Sequence, residues 1–268
     1  MATMTRLLNV LILTACAAGA LVSLSPALDA AQVQVIVYHT FNGNGKSPYD
    51  FSVQEMREHI EALEADGFVF VKMSDLLEGN IEGTNNILVT IDDGHKTVLE
   101  AYREVLKPRG IKPLLGIYPN IISKKEDAMT WDELKSLVDD GCEIAGHGYY
   151  HLFLNEKQYK KDLVEFNNEI FKSRLILEDK LGVRVLTYVY PFGVRSDMAE
   201  FALGMGMFRG AFTIDWGITS VPLSANKNIY ALPRYMLVRN NYKNIFATLR
   251  KRAFIASGAG AKDARGRN

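Results

Sequence analysis

From residue 32 onward, short runs of β-branched and apolar residues alternate with segments of helical periodicity. Such alternation is typical of a parallel sheet with helices packed on it, and its length predicts a single α/β domain closed as a (β/α) barrel. Capping boxes at residues 52–55 and 130–133 mark two helix starts. The predicted strands are 33–38, 68–71, 87–91, 112–117, 142–145, 187–190, 209–213 and 230–232, and the other predicted helices are 97–108, 155–181 and one from 241.

Composition excludes several classes of protein. Lys and Arg together number 31, as do Asp and Glu, so there is no basic field to hold a nucleic acid. Two cysteines, Cys16 and Cys142, exclude a disulfide framework and a tetrathiolate metal site. Any metal must therefore use nitrogen and oxygen ligands, and Cys142 is expected to be a buried free thiol.

The first thirty residues differ in character from the rest. Arg6 precedes an almost uncharged run over residues 7–24, and small residues follow it. This layout predicts a signal peptide or membrane anchor over residues 1–30, with export to the periplasm, cell surface or exterior. Cleavage after Ala27 or Ala30, lipidation at Cys16, and an uncleaved anchor remain alternatives. A folded domain is expected over residues 31–254, with a disordered tail over 255–268.

Polar residues cluster where the predicted strands end. They are His39, Asp92 with Asp93, His147 with His151, Tyr190 with the following loop, and Asp215 with Trp216. Because active sites of parallel barrels form at the carboxyl ends of strands, these residues are the candidate site. His59 lies on the amphipathic first helix, away from every cluster, and is expected at the surface.

Of the two adjacent acids, one can bind a metal while the other takes up a proton. The alternative is that both only stabilise the N-terminus of the helix that follows. His147 and His151 are four residues apart, and with Asp93 they predict a site for one divalent cation with open positions. Zinc suits these donors best, and cobalt or nickel can replace it. The alternative is a histidine pair on a solvated helix.

Three motifs carry a family resemblance: T-I-D-D-G at 90–94, H-G-Y-Y-H at 147–151 and Y-P-F-G at 190–193. They resemble the T-F-D-D-G, H-[ST]-x-x-H and P-Y-G motifs of polysaccharide deacetylases with NodB homology, carbohydrate esterase family 4, over residues 33–238. The resemblance implies a distorted barrel, usually of seven strands, and removal of N-acetyl groups from a polysaccharide containing N-acetylglucosamine. It also implies a set of roles: Asp92 as general base, Asp93, His147 and His151 as metal ligands, and the Phe192 backbone N–H as oxyanion donor.

The sequence departs from that family at three positions. Gly148 replaces the usual Ser or Thr, Val189 replaces an arginine, and Phe212 replaces the first acid of D-x-x-D-W. No histidine follows His151 to serve as the usual acid. A closer resemblance is to the biofilm poly-N-acetylglucosamine deacetylases, whose acid lies in a Y-H motif on the first strand.

That second resemblance implies that His39, which follows Tyr38, protonates the leaving amine. His95 is the rival for this role. Arg234 either supplies the missing cation or forms a surface salt bridge, so it is not among the predicted catalytic residues.

Substrate contacts are predicted for Tyr190, Phe192, Asp215 and Trp216, and Trp216, Tyr149 and Tyr150 offer flat faces to sugar rings. The expected partner is an N-acetylated glycan, with membrane attachment possible through the N-terminus. Two alternatives remain: a noncatalytic glycan-binding protein on the same fold, and an amidohydrolase of a small cyclic amide.

Overall fold

A curved sheet of nine strands forms the centre of the computed structural model, which describes residues 30–256. Most of the predicted signal or anchor, Cys16 and nearly all of the predicted tail lie outside these residues. The strands are β1 Gln32–Tyr38, β2 Val69–Val71, β3 Asn86–Asp93, β4 Leu114–Ile117, β5 Glu143–Gly146, β6 Thr187–Val189, β7 Gly210–Phe212, β8 Thr219–Ser220 and β9 Tyr235–Met236. The α-helices are α1 Val53–Ala65, α2 Met73–Glu78, α3 Val98–Ala101, α4 Trp131–Asp139, α5 Glu156–Lys161, α6 Leu163–Asn167, α7 Ser173–Leu181, α8 Asp197–Met205 and α9 Tyr242–Ala256. Short π-helical segments extend α3 over Tyr102–Leu106 and join α6 to α7 over Asn168–Lys172.

Seven strands follow one another across the sheet in the order β7, β6, β5, β4, β3, β1, β8. Their pairing is parallel except for β8, which runs antiparallel to the start of β1. Beyond this path, β2 pairs with the first half of β3, and β9 with the second half of β1. The predicted seven-stranded distorted barrel is confirmed, and its parallel strands place their carboxyl ends at one edge.

The segment before β9 closes the barrel. Leu232 forms a parallel bridge with Phe212 of β7, and Tyr235 pairs with Ile36 of β1 three residues later. Residues 232–236 therefore connect the two sides of the curved sheet, with Arg234 at the middle of this closing segment.

Side-chain alternation along the strands separates two apolar clusters. Val35, Leu88 and Val189 belong to a smaller cluster inside the barrel, whereas Ile36 and Ile87 pack outward against the helices. Residues two and four positions beyond Leu88 share its inward face, and those residues are Thr90 and Asp92. The core pattern thus places one carboxylate at the barrel mouth.

Both predicted capping boxes are present. Ser52 Oγ accepts a hydrogen bond from the Glu55 N–H at 3.0 Å, and the Glu55 carboxylate accepts the Ser52 N–H at 2.6 Å. Thr130 and Glu133 make the same reciprocal pair. Cys142 is a buried free thiol as predicted, and burial raises its pKa to about 12.

Two predicted elements differ in the structure. The helix expected over 155–181 is interrupted at Asp162, whose extended backbone and side-chain hydrogen bond to the Glu165 N–H begin a new helix. No strand spans 230–232, because the Asn228 side chain accepts the Tyr230 N–H in a turn, and the strand begins at Tyr235 instead. The structure also adds α2, α8 and β8, which the sequence pattern did not predict. None of the helices over residues 30–256 is long and apolar enough to cross a bilayer.

The expectation that His59 lies at the surface was wrong. His59 is only 6% exposed, and its Nδ1 lies 3.2 Å from the Tyr38 hydroxyl. Its ring packs against Phe51, Tyr242 and Phe246. Burial lowers the pKa of His59 from 6.5 to about 4, so the imidazole is neutral in the folded protein at pH 7.

Replacing His59 with glutamine should make the protein less sensitive to acid. Between pH 6.5 and about 4 the unfolded chain binds a proton at His59 that the folded chain does not. The free energy of unfolding of the wild-type protein therefore decreases as the pH is lowered through this range. Over that range, the difference in proton binding between the two states corresponds to about 3 kcal/mol. Urea unfolding of both metal-free proteins from pH 7 to pH 4 measures this, and parallel stability curves would contradict it.

Candidate active site

A cleft of about 240 Å³ opens at the carboxyl edge of the sheet. It gathers residues from the carboxyl ends of β1, β3, β5, β6 and β7, from the loops that follow them, and from the closing segment 232–236. The lining includes His39, Asp92, Asp93, His147, His151, Tyr190, Phe192 and Arg234, together with Tyr49, Gly193, Ile214 and Met236.

Asp93, His147 and His151 form a cluster of possible metal ligands, with one donor atom from each lying within 4.8 Å of the others. Asp93 Oδ1 is 3.4 Å from His147 Nε2 and 3.5 Å from His151 Nε2. The two Nε2 atoms are 3.1 Å apart. His147 Nδ1 lies 2.8 Å from the Val189 carbonyl and donates to it, which orients the ring so that Nε2 faces the cluster.

The donors fit a divalent cation. Asp93 Oδ1 is buried and, among the described residues, accepts no hydrogen bond. An unpartnered buried carboxylate oxygen is costly unless a positive charge lies beside it. Burial and, to a smaller extent, the neighbouring His147 lower the pKa of His151 to about 4, so His151 is neutral and can donate its lone pair. Two imidazoles and one carboxylate with open positions are a donor set typical of catalytic zinc sites.

Backbone geometry brings both acids into the cleft. Regular alternation would direct Asp93 away from Asp92, but Asp93 has a left-handed φ of 77° that turns the chain as β3 ends. His151 and Phe192 are also left-handed, with φ of 64° and 60°. Non-glycine residues with left-handed φ cost energy and concentrate at functional sites, and all three of these line the cleft.

Asp92 forms a buried two-point ion pair with Arg234. The guanidinium nitrogens lie 3.0 Å from Asp92 Oδ1 and 2.9 Å from Oδ2. Arg234 is 1% exposed and also donates to Thr90 Oγ1 and the Thr213 carbonyl. Burial by itself would raise the pKa of Asp92, but Arg234, with smaller contributions from His147 and His39, holds that pKa below its usual value. Asp92 is therefore ionised at neutral pH.

His39 lies at the end of β1 in the same cleft. Its Nδ1 is buried without a hydrogen-bond partner among the described residues, and its ring lies 5.1 Å from that of Tyr49. Burial lowers the pKa of His39, although the carboxylates of Asp92 and Asp93 act in the opposite direction. His95 is placed differently: its Nδ1 is bonded within a turn to Thr97, and it is not part of the lining.

Comparison with known proteins gives a family for this part of the chain. The polysaccharide deacetylase model matches residues 80–206. This segment belongs to the polysaccharide deacetylase family. No curated protein matches the chain.

Solved structures share the fold. IcaB from Ammonifex degensii is 22% identical with a TM-score of 0.70, over 82% of this chain and 99% of that one. The deacetylase PplD from Streptococcus pyogenes, solved with acetate, is 16% identical with a TM-score of 0.70 over the same shares. A de-N-acetylase from Aggregatibacter actinomycetemcomitans is 16% identical with a TM-score of 0.65, over 80% of this chain and 99% of that one.

The structure explains two departures from the polysaccharide deacetylase motifs. Val189 replaces the motif arginine and packs inside the barrel, while Arg234 approaches Asp92 from the closing segment. Gly148 replaces the motif Ser or Thr, and a Cβ there would clash with Glu169 Oε2. Phe212, in place of the acid of D-x-x-D-W, is fully buried in the same interior cluster as Val189.

The four predicted substrate contacts divide between two places. Tyr190 and Phe192 line the cleft, whereas Asp215 and Trp216 are exposed and lie outside its lining. The Asp215 carbonyl accepts the Arg234 N–H at 2.9 Å, so its backbone supports the closing segment.

Three residues around the site were missed from the sequence. Tyr49 lines the cleft from the loop after β1, and Phe153 stacks on Phe192 with ring centroids 4.1 Å apart. Glu169 binds the loop that carries His151. Phe153 follows the H-x-x-x-H motif by two residues, and this proximity was the one signal available for it.

Proposed function

We propose that this protein is a metal-dependent hydrolase that removes N-acetyl groups from a polysaccharide containing N-acetylglucosamine. One observation carries the proposal. A single cleft is lined by the ionised buried carboxylate of Asp92, the three possible metal ligands and the unpartnered imidazole of His39. Amide hydrolysis needs a base, a Lewis acid and a proton donor for the amine, and these groups can supply all three.

Asp92 is the base in this proposal, because Arg234 keeps its carboxylate ionised and fixed in orientation. Asp93, His147 and His151 hold the cation, for which zinc is proposed and cobalt or nickel can substitute. When bound, the cation supplies Lewis-acid chemistry, which polarises a carbonyl and makes water more acidic. The Phe192 backbone N–H is proposed to stabilise the oxyanion, since its loop packs against His151.

Exposed aromatic rings support a sugar substrate. Phe192 and Phe153 are 48% and 45% exposed and stack nearly parallel beside the cleft. Flat apolar faces of this kind suit the faces of pyranose rings. The solved PplD structure contains acetate, which is the acid that N-deacetylation releases. IcaB and the de-N-acetylase share the fold. We propose the substrate class from the resemblance of the Tyr38-His39 motif to the biofilm deacetylases.

Acetate release tests the proposal. The substrates are poly-N-acetylglucosamine, chitooligosaccharides and peptidoglycan, and the controls are metal-stripped protein and the Asp93→Ala variant. Release that requires zinc and is lost in both controls is expected. No acetate from any glycan, with zinc bound, would favour a noncatalytic glycan-binding protein or an amidohydrolase of a small cyclic amide.

Loss of His39 should affect amides far more than activated esters. In the proposed reaction the neutral imidazole takes up a proton and delivers it to the leaving nitrogen, and general acids contribute about 10²- to 10⁴-fold. A good leaving group needs no such proton. We therefore expect His39→Ala to depress acetamide hydrolysis strongly, spare aryl acetate hydrolysis and leave zinc content unchanged.

His95→Ala is the matched control, since His95 lies outside the cleft lining and belongs to a turn. It should leave both reactions near the wild-type rate. If His95→Ala shows the amide-selective loss, or if His39→Ala lowers both reactions equally, the acid has been assigned wrongly.

We also propose export, on the basis of Arg6 and the uncharged run over residues 7–24. N-terminal sequencing of the mature protein is expected to give a start near Ala31 or a lipidated Cys16. An intact Met1 in a soluble cytosolic fraction would contradict export.

A further inference from the structure

A buried carboxylate reaches the metal-ligand loop from the opposite helix. Glu169 lies in the π-helical segment Asn168–Lys172 and is fully buried. Its Oε1 accepts the Tyr150 N–H at 2.7 Å, and its Oε2 accepts the Leu152 N–H at 2.8 Å. Two charge-assisted hydrogen bonds to one short loop are a strong local constraint.

The two bonded amides flank His151. Tyr150 precedes it and Leu152 follows it, so the carboxylate spans His151, whose backbone is left-handed, with φ of 64°. A non-glycine residue keeps such a conformation only when its surroundings impose it. Both flanking N–H groups converge on the two oxygens of the Glu169 carboxylate, which can supply such a constraint.

Gly148 provides the space for this carboxylate. A Cβ at residue 148 would clash with Glu169 Oε2 and would lie 3.2 Å from His151 Cα. The backbone of Gly148 is itself left-handed, with φ of 82°. Glycine at this position and glutamate at 169 are therefore structurally linked.

We infer that Glu169 is a positioning residue for the metal ligand His151, and that it fixes the ligand loop in place of the side chain that Gly148 lacks. The inference rests on the proposed function, because it concerns the same metal site. Glu169 contacts none of the three donor atoms, so its effect must pass through the backbone of the loop.

Zinc affinity of Glu169→Gln tests the inference directly. Glutamine has a similar shape but offers one acceptor oxygen, so one of the two backbone N–H groups loses its partner. Loss of such supporting contacts weakens metal binding by about 10- to 100-fold. Competition with a chelator of known affinity measures the change, with zinc alone as the ligand.

Glu143→Gln is the matched control. The Glu143 carboxylate also accepts two backbone N–H groups, those of Met73 and Ser74 at 2.6 and 2.8 Å, but at the opposite end of β5. It should lower stability to a similar extent and leave zinc affinity unchanged. Equal zinc affinities for wild type, Glu143→Gln and Glu169→Gln would overturn the inference.

Gly148→Ala gives a second route if Glu169→Gln does not fold. In the wild-type background Gly148→Ala should weaken zinc binding. In a Glu169→Ala background the same substitution should weaken it less, because the carboxylate with which the new Cβ clashes is absent. Additive losses would contradict the link between the two positions.

A wild-type protein that binds no zinc would refute the proposed function without deciding the inference. A crystal structure of Glu169→Gln then decides it. The inference predicts that His151 leaves its left-handed conformation, and an unchanged loop would overturn it.

Discussion

Replacing Asp92 with asparagine is expected to lower the deacetylation kcat by about 10³-fold while zinc stays bound, within the range that a general base contributes. Asparagine keeps the shape of the side chain but cannot take a proton from water. Asp92 is not one of the three clustered donors, so the metal site remains complete. Turnover and zinc content, measured on the same preparation, check both parts.

Asp93→Asn provides the matched comparison one residue later. It removes a ligand charge, so zinc should be lost along with activity. If Asp92→Asn keeps wild-type turnover, Asp92 is not the base. If both variants lose zinc equally, the division between base and ligand is wrong.

Removing Arg234 should have the second large effect, on stability and on the pH profile together. Removing one partner of a buried ion pair lowers the free energy of unfolding by about 3–5 kcal/mol, because the other partner stays buried with an uncompensated charge. Since Arg234 lowers the pKa of Asp92 against the effect of burial, its loss raises that pKa. In Arg234→Met the acidic limb of kcat/KM should therefore move to higher pH.

The control for this prediction is Arg239→Met. Arg239 binds the Glu55 carboxylate through two nitrogens at 3.0 and 2.9 Å, but both side chains are about one-third exposed. An exposed pair contributes about 0–1 kcal/mol. Arg234→Lys keeps the positive charge and should retain more of the low-pH activity than Arg234→Met. An acidic limb that does not move in either Arg234 variant would show that this residue does not set the charge of the base.

Local pattern was enough to predict that the three possible metal ligands lie together. Asp93 ends an apolar strand, and His147 and His151 follow the next strand but one, so parallel pairing alone brings them to one edge. Arg234 was not predictable in the same way, because it reaches Asp92 from 142 residues further along the chain. Its place depends on how residues 232–236 bridge β7 and β1, which no short-range pattern encodes.

His59 shows an opposite kind of error. Met56, His59, Ile60 and Leu63 follow the i, i+3, i+4, i+7 spacing of a buried helix face, and all four are buried. The spacing predicted burial, and the polar character of histidine was wrongly given more weight. The break at Asp162 has a different physical cause, since a capping side chain competes locally with helix continuation.

Because Arg234 lies on the segment that closes the barrel, closing the barrel also brings to Asp92 the guanidinium that stabilises its ionised form. The segment matched to the family, residues 80–206, carries Asp92 and all three clustered ligands, but neither His39 nor Arg234. If β3, β4 and β5 pair before the closing segment docks, the three clustered donors are in place before Asp92 has the guanidinium that keeps it ionised in the apolar interior.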